Sequence, residues 1–126
     1  MSAAEKKVVY ISGPITGVEN YWEAFEQAED DLEALGYIAL SPARLPKGLT
    51  NEQYMQIDLA MLGAADAVLF LLGWDNSEGA TVEHELAKYM DKPHVYQRGR
   101  VLGDDVDPVE ERRSWLYMDL MEVIGK

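Results

Sequence analysis

Two rhythms of apolar and polar positions run along this chain, and each change of rhythm marks an element. Lys7-Val-Val-Tyr-Ile-Ser12 is a short β-branched run that predicts a first strand. From about Asn20 to Leu35, the residues Tyr21, Phe25, Ala28, Leu32 and Leu35 recur at alternating spacings of four and three, which predicts a helix with one apolar face. Glu26, Glu29, Asp30 and Glu33 are expected on the opposite, solvated face, and Gly36 ends the helix as a left-handed glycine does. Tyr37-Ile-Ala-Leu40 predicts a second strand. Pro42, Pro46 and Gly48 make 41–50 a loop, after which Thr50 or Asn51 caps a helix reaching about Ala64. The uninterrupted apolar run Ala67-Val-Leu-Phe-Leu-Leu72 predicts a buried strand. A helix from about Gly79 to Met90, a strand from Pro93 to Gln97 and a helix from Pro108 to about Val123 complete the chain.

Strands alternating with helices imply an α/β fold, a Rossmann-like (flavodoxin-like) parallel sheet of about four to five strands flanked by helices. The 126 residues fit one domain over 1–126, and 48% hydrophobic with 27% charged residues argues against disorder. A net charge of −12 would repel a phosphate backbone, so no nucleic acid polymer is expected as a partner. No apolar run is long enough to span a membrane and the N-terminus lacks a signal-peptide core, so no membrane and a cytoplasmic location are expected. There is no cysteine, and His84 and His94 lack metal-ligand spacing, so neither a metal nor a cofactor is expected.

Three segments carry candidate chemistry. Tyr10-Ile-Ser-Gly-Pro-Ile-Thr-Gly17 places a glycine-bearing turn after the first strand, where backbone N–H groups could approach a phosphate or sugar. It is neither a Walker loop nor a Gly-x-Gly-x-x-Gly fingerprint, and a tight structural turn explains it about as well. Asp58 is the one charged residue between Gln53 and Ala65, on a helix that is apolar almost all round and therefore buried or in a subunit interface. A carboxylate there is paired, protonated or functional, unless it lies on a narrow solvent stripe. Ser77 can cap the third helix, Gly79 and Ala80 leave its start uncrowded, and Glu83 falls in its second turn. The helix N-terminus is expected to favour ionised Glu83, as a carboxylate nucleophile requires. Composition alone would make Glu83 one more surface acid.

In order and spacing, from roughly Val8 to Val95, these segments resemble the nucleoside 2-deoxyribosyltransferase superfamily. The resemblance is closest to its 2′-deoxynucleoside 5′-monophosphate N-glycosidase branch and that branch's short bacterial and phage relatives. It rests on the Tyr10–Gly17 loop, on Gln56-Ile-Asp58-Leu with Ala65-Asp66-Ala-Val, and on Ser77-x-Gly79-x-x-x-Glu83-x-x-x-Ala87. It implies Glu83 as nucleophile, Asp58 protonating or orienting the base, Tyr10 positioning Glu83, and Ser12, Gly13, Thr16, Gly17, Ser77 and Gly79 around the substrate. Ser77 stands where nucleoside-specific members tend to have aspartate; a hydroxyl can donate to a 5′-phosphate that an aspartate would repel.

The implied reaction is cleavage of the N-glycosidic bond of a deoxynucleotide through a covalent deoxyribosyl-Glu83 intermediate, with transfer to water or another base. Tyr21, Trp22 and Trp74 are candidates to cover the base, with core packing the bland alternative. The apolar excess on the final helix (Trp115, Leu116, Met118, Leu120, Met121, Ile124) suggests a homo-oligomer contact, and family members often complete the site from a neighbouring subunit. Arg98, Arg100, Arg112 and Arg113 could form a phosphate clamp or be ordinary surface charge. Two other classes stay open: a non-catalytic nucleotide-binding or sensing module, and an acidic interaction protein in which the acids of the first helix and of 104–111 form solvated faces.

Overall fold

A computed structural model describes residues 6–125. The expectation about a signal segment falls partly on residues 1–5, outside that range. Four strands form a parallel sheet in the order β2-β1-β3-β4: β1 (Val8–Ser12), β2 (Ile38–Leu40), β3 (Ala67–Phe70) and β4 (His94–Tyr96). Four helices flank it: α1 (Tyr21–Ala34), α2 (Asn51–Ala64), α3 (Glu78–Tyr89) and α4 (Pro108–Ile124). This is the α/β arrangement that the alternating pattern predicts. Among the described residues, no helix is long and apolar enough to cross a membrane.

Period-two alternation divides the central strands between two cores. Val9 and Ile11 of β1 and Ala67 and Leu69 of β3 face α1 and α4, packing with Phe25, Leu32, Leu116 and Leu120. Tyr10, Val68 and Phe70 face the other way and pack with Leu62 of α2 and Ala87 of α3. Ser12 shares the parity of Tyr10, so both side chains belong to the α2/α3 face. The chain runs from β1 out to β2 and returns across to β3, which makes the crevice beyond the carboxyl ends of β1 and β3 the topological switch point.

Local signals explain the element ends. Thr50, rather than Asn51, caps α2 in a reciprocal capping box with Gln53. Gly36 follows α1 with φ +93°, the left-handed conformation that the C-terminal glycine requires. Pro108 opens α4 behind Asp107, whose side chain accepts from Val109 N. The apolar run beyond β3 is not all strand: Leu71 N still donates to Ser12 O, but Leu72 turns out, 58% exposed. The predicted loop 41–50 contains a short 3-10 turn at Pro42–Arg44.

The solvated acidic face of α1 holds for Glu26, Asp30 and Glu33, which are exposed, and is corrected at Glu29 and at the further acid Asp31. Glu29 is buried against Arg44 (Nη2–Oε1 2.7 Å), and Asp31 is buried between Arg112 and Arg113. Glu111, in the other acidic segment, is buried against Arg100 (2.8 Å) and accepts from Val101 N and Leu102 N. The arginines arrive from distant parts of the sequence, so helical periodicity on one element could not reveal these pairs. The four C-terminal arginines are likewise committed to carboxylates, with Arg98 on Asp119 (2.9 Å), and do not form a free phosphate clamp.

Candidate active site

Glu83 is the centre of a buried polar cluster on the α2/α3 face. It sits in the second turn of α3, where an exposed acid would be unremarkable, yet it is only 4% exposed. Tyr10 Oη donates to Glu83 Oε2 at 3.0 Å and Ser12 Oγ donates to Glu83 Oε1 at 2.6 Å. The two hydroxyls come from alternate residues of one strand, both fully buried, so β1 fixes both carboxylate oxygens. A carboxylate gripped at both oxygens has one orientation, which is what a group poised for attack needs.

Burial pushes the Glu83 carboxyl up to about 7. The Ser12 and Tyr10 hydrogen bonds oppose the rise by stabilising the charge, and the negative charge of Asp58 adds to it. Loss of water is the largest of these influences, so burial works against the ionised form expected from the helix start. The Tyr10 hydroxyl is also raised, by burial and then by the charges of Glu83 and Asp58, so it stays a protonated donor.

Asp58 is half-buried on α2, and burial pushes it up to about 6. Its Oδ1 is buried with no hydrogen-bond partner among the described residues. Such an atom costs about 1–3 kcal/mol unless something binds it. Around it α2 is largely open: Leu62 is its one buried residue, Ile57 is exposed, and Met55, Leu59 and Met61 are half-buried. Of the two positions expected for this apolar helix, burial within the chain is not the one found.

Ser77 caps α3, accepting from Ala80 N at 3.3 Å, and is half-buried at the helix start. A Cβ on Gly79 would meet only Met55 Cε, at 4.0 Å, so the first turn of α3 is uncrowded. Gly13 is different, because a Cβ there would lie 3.0 Å from Leu71 Cβ; close packing of the loop on the end of β3 requires the glycine. Thr16 and Gly17 lie exposed in the turn after β1, with Gly17 at φ +78°. No hydrogen bond among the described residues joins them to Glu83.

Beside Glu83 on α3, His84 points into an aromatic cluster that sequence reasoning missed. Its ring stacks on Trp74 (centroids 4.2 Å apart), and Nε2 lies 2.7 Å from Tyr96 Oη. Phe70 and His94 close the group, with the two histidine rings 5.6 Å apart. Burial and the neighbouring His94 lower the His84 pKa. The signal was available: parity puts Phe70 of β3 and His94 and Tyr96 of β4 on the α3 side. Trp74 is thus a packing partner of His84, Tyr21 packs edge-on against Phe25, and Trp22 is 51% exposed. No group of three or more His, Asp or Glu side chains suited to a metal occurs among the described residues.

Residues 7–96 match the family model described as "Domain of unknown function (DUF4406)". The chain belongs to this family. The matched span holds all of β1 to β4 and every member of the Glu83 cluster, and it stops before α4. No curated protein matches the chain. Among solved structures, a 2-deoxyribosyltransferase from the psychrotolerant bacterium Bacillus psychrosaccharolyticus is similar over 76% of this chain and 77% of its own, at 19% identity and a TM-score of 0.58. The DUF4406 chain therefore has a deoxyribosyltransferase-like fold.

Proposed function

We propose that the protein cleaves the N-glycosidic bond of a 2′-deoxynucleoside 5′-monophosphate through a covalent Glu83 intermediate, with transfer to water or another base. The observation that carries this reading is the double grip of Tyr10 and Ser12 on a buried glutamate at the switch point of the sheet. The fold shared with a 2-deoxyribosyltransferase supports it. Glu83 attacks C1′ as the bond to the base breaks, and Asp58 supplies a proton to, or orients, the departing base. The open valence of Asp58 Oδ1 fits either role. Water then opens the deoxyribosyl ester, releasing deoxyribose 5-phosphate and the free carboxylate, or a second base takes the sugar.

Where Asp58 acts as acid, the productive pair has Glu83 ionised and Asp58 protonated. With Glu83 near about 7 and Asp58 near about 6, this is the rarer of the two singly protonated states. Activity should be bell-shaped, with limbs near those two values that belong to the pair rather than to either residue. Ser77 supports the monophosphate: its oxygen caps α3 while its proton remains to meet a phosphate oxygen. Gly13, Thr16, Gly17 and Gly79 complete the proposed substrate surroundings. The exposed side of α2, with Val82 and Tyr89 of α3 also exposed, supports a contact with a second copy beside Asp58.

Incubation with each deoxynucleoside and its 5′-monophosphate, followed by chromatography for free base, tests the reaction. Trapping with a 2-fluoro-substituted nucleotide should leave an adduct on Glu83. Absence of free base with every substrate, or an unchanged rate in Glu83→Ala, overturns the proposal.

A further inference from the structure

We infer that the cleft between α1 and α4 is a second small-molecule site, shaped for an uncharged planar heterocycle of one or two rings. It lies on the face of the sheet opposite Glu83 and does not rest on the function proposed above. The cleft holds about 220 Å³. That is below the roughly 300 Å³ at which pockets for drug-sized ligands begin, and it suits a fragment. Its floor is apolar, made by Ala28 of α1, Leu69 of β3 and Leu116 of α4.

The walls decide the chemistry. Arg98, Arg100 and Arg112 line the cleft, each fixed by a lining carboxylate: Asp119, Glu111 and Asp31 respectively. Three positive and three negative groups leave the lining without net charge. An incoming anion would meet Asp31, Glu111 and Asp119 already seated on the three guanidinium groups, and would add a negative charge to a lining that has no unpaired positive charge to offset it. An organic cation would meet three guanidinium groups already in place. An uncharged molecule incurs neither cost.

The same walls ask for acceptors and a flat shape. Arg98 and Arg112 hold their carboxylates through Nε and Nη2, and Arg100 uses Nε on Glu111 and Nη2 on backbone carbonyls. Among the described residues the Nη1 groups of all three have no protein acceptor, so the fork of each retains N–H donors. The Arg98 guanidinium lies 4.4 Å from the centroid of the Trp115 ring, so indole and guanidinium together offer broad π-surfaces. Ring nitrogens and carbonyl oxygens of a flat heterocycle match this combination, as free nucleobases do.

The chain has three tryptophans, which give the test its reporter. The 15N-labelled protein is titrated with adenine, with cytosine and, separately, with inorganic phosphate, following the indole N–H signals. A saturable shift of the Trp115 signal with a base but not with phosphate is expected, unchanged in Glu83→Gln. Calorimetry on Trp115→Leu, checked for a dispersed native spectrum, should show binding weakened at least tenfold. Shifts confined to Trp74, an equal response of Trp115 to phosphate, or no response up to the solubility limit of either base would overturn the inference. So would undiminished binding by a folded Trp115→Leu.

Discussion

The two faces of this sheet bury their carboxylates in opposite ways. On the α1/α4 side, Glu29, Asp31 and Glu111 each meet at least one arginine, and Asp31 meets two. On the α2/α3 side, Glu83 is held by two neutral hydroxyls and Asp58 leaves an oxygen with no partner. A cation neutralises a buried acid and locks elements together, as Arg112 and Arg113 lock α4 to α1. A hydroxyl grip orients an acid without neutralising it; the two hydrogen bonds lower the proton affinity of Glu83 only in part, and burial still leaves it raised. The first arrangement is architecture. The second, on the function proposed above, would hold reactivity at the expense of stability.

The largest expected effect separates the faces by activity. Glu83→Gln keeps the shape and one acceptor oxygen for the two hydroxyls but removes the proposed nucleophile, so turnover of the proposed deoxynucleotide substrate should fall by at least about 1,000-fold. Glu111→Gln, equally conservative on the other face, should leave the rate of the folded fraction within about threefold. Steady-state assays on both variants decide it; equal losses would dissolve the distinction.

Stability should show the reverse. Asp31→Asn leaves Arg112 and Arg113 without their shared partner and should cost roughly 3 kcal/mol in urea unfolding, the scale of a broken buried pair. Glu83→Gln should stabilise the protein at alkaline pH. Burial pushes the folded carboxyl up to about 7 from the ordinary glutamate value of 4.5, so the native state binds the extra proton between them. Wild-type stability therefore falls as pH rises through that window and levels off above it. Glutamine carries no such penalty, and at pH 8 the gain should be roughly 2–3 kcal/mol, shrinking toward zero by about pH 4. Unfolding of both proteins from pH 4 to 8 reads it directly.

Residues that act through their own element were legible in the sequence; residues that act through a partner were not. The four strands followed from short apolar runs, and the α3 cap from a serine before a helical stretch. The lone Asp58 signalled itself because nothing else charged stood near it. Glu29, Asp31 and Glu111 read as solvated acids because their arginines lie 15, 81 or 82, and 11 residues away. The raised affinity of Glu83 was missed for a related reason. Its position near a helix start suggested ionisation, whereas the burial that works against it comes from elements distant in sequence, β1 among them. His84 escaped notice because its partners Trp74 and Tyr96 converge on it from two separate strand ends.

The two hydroxyls that hold Glu83 give the finest test. Ser12→Ala removes the shorter bond, 2.6 Å against 3.0 Å for Tyr10, and so should raise the Glu83 proton affinity more than Tyr10→Phe does. A hydrogen bond to a charged group contributes about 1.5 kcal/mol at the low end, equivalent to about one pH unit. With Asp58 unchanged as the acid near about 6, raising Glu83 by one unit makes the productive pair about tenfold rarer. The maximum of kcat/KM should therefore drop by about that factor while the alkaline limb moves up by about a unit. Tyr10→Phe should do the same to a smaller extent. A merely structural role would depress the rate at every pH and leave the limbs where they were. The shape of the profile, more than its height, shows whether β1 tunes the glutamate or only packs against it.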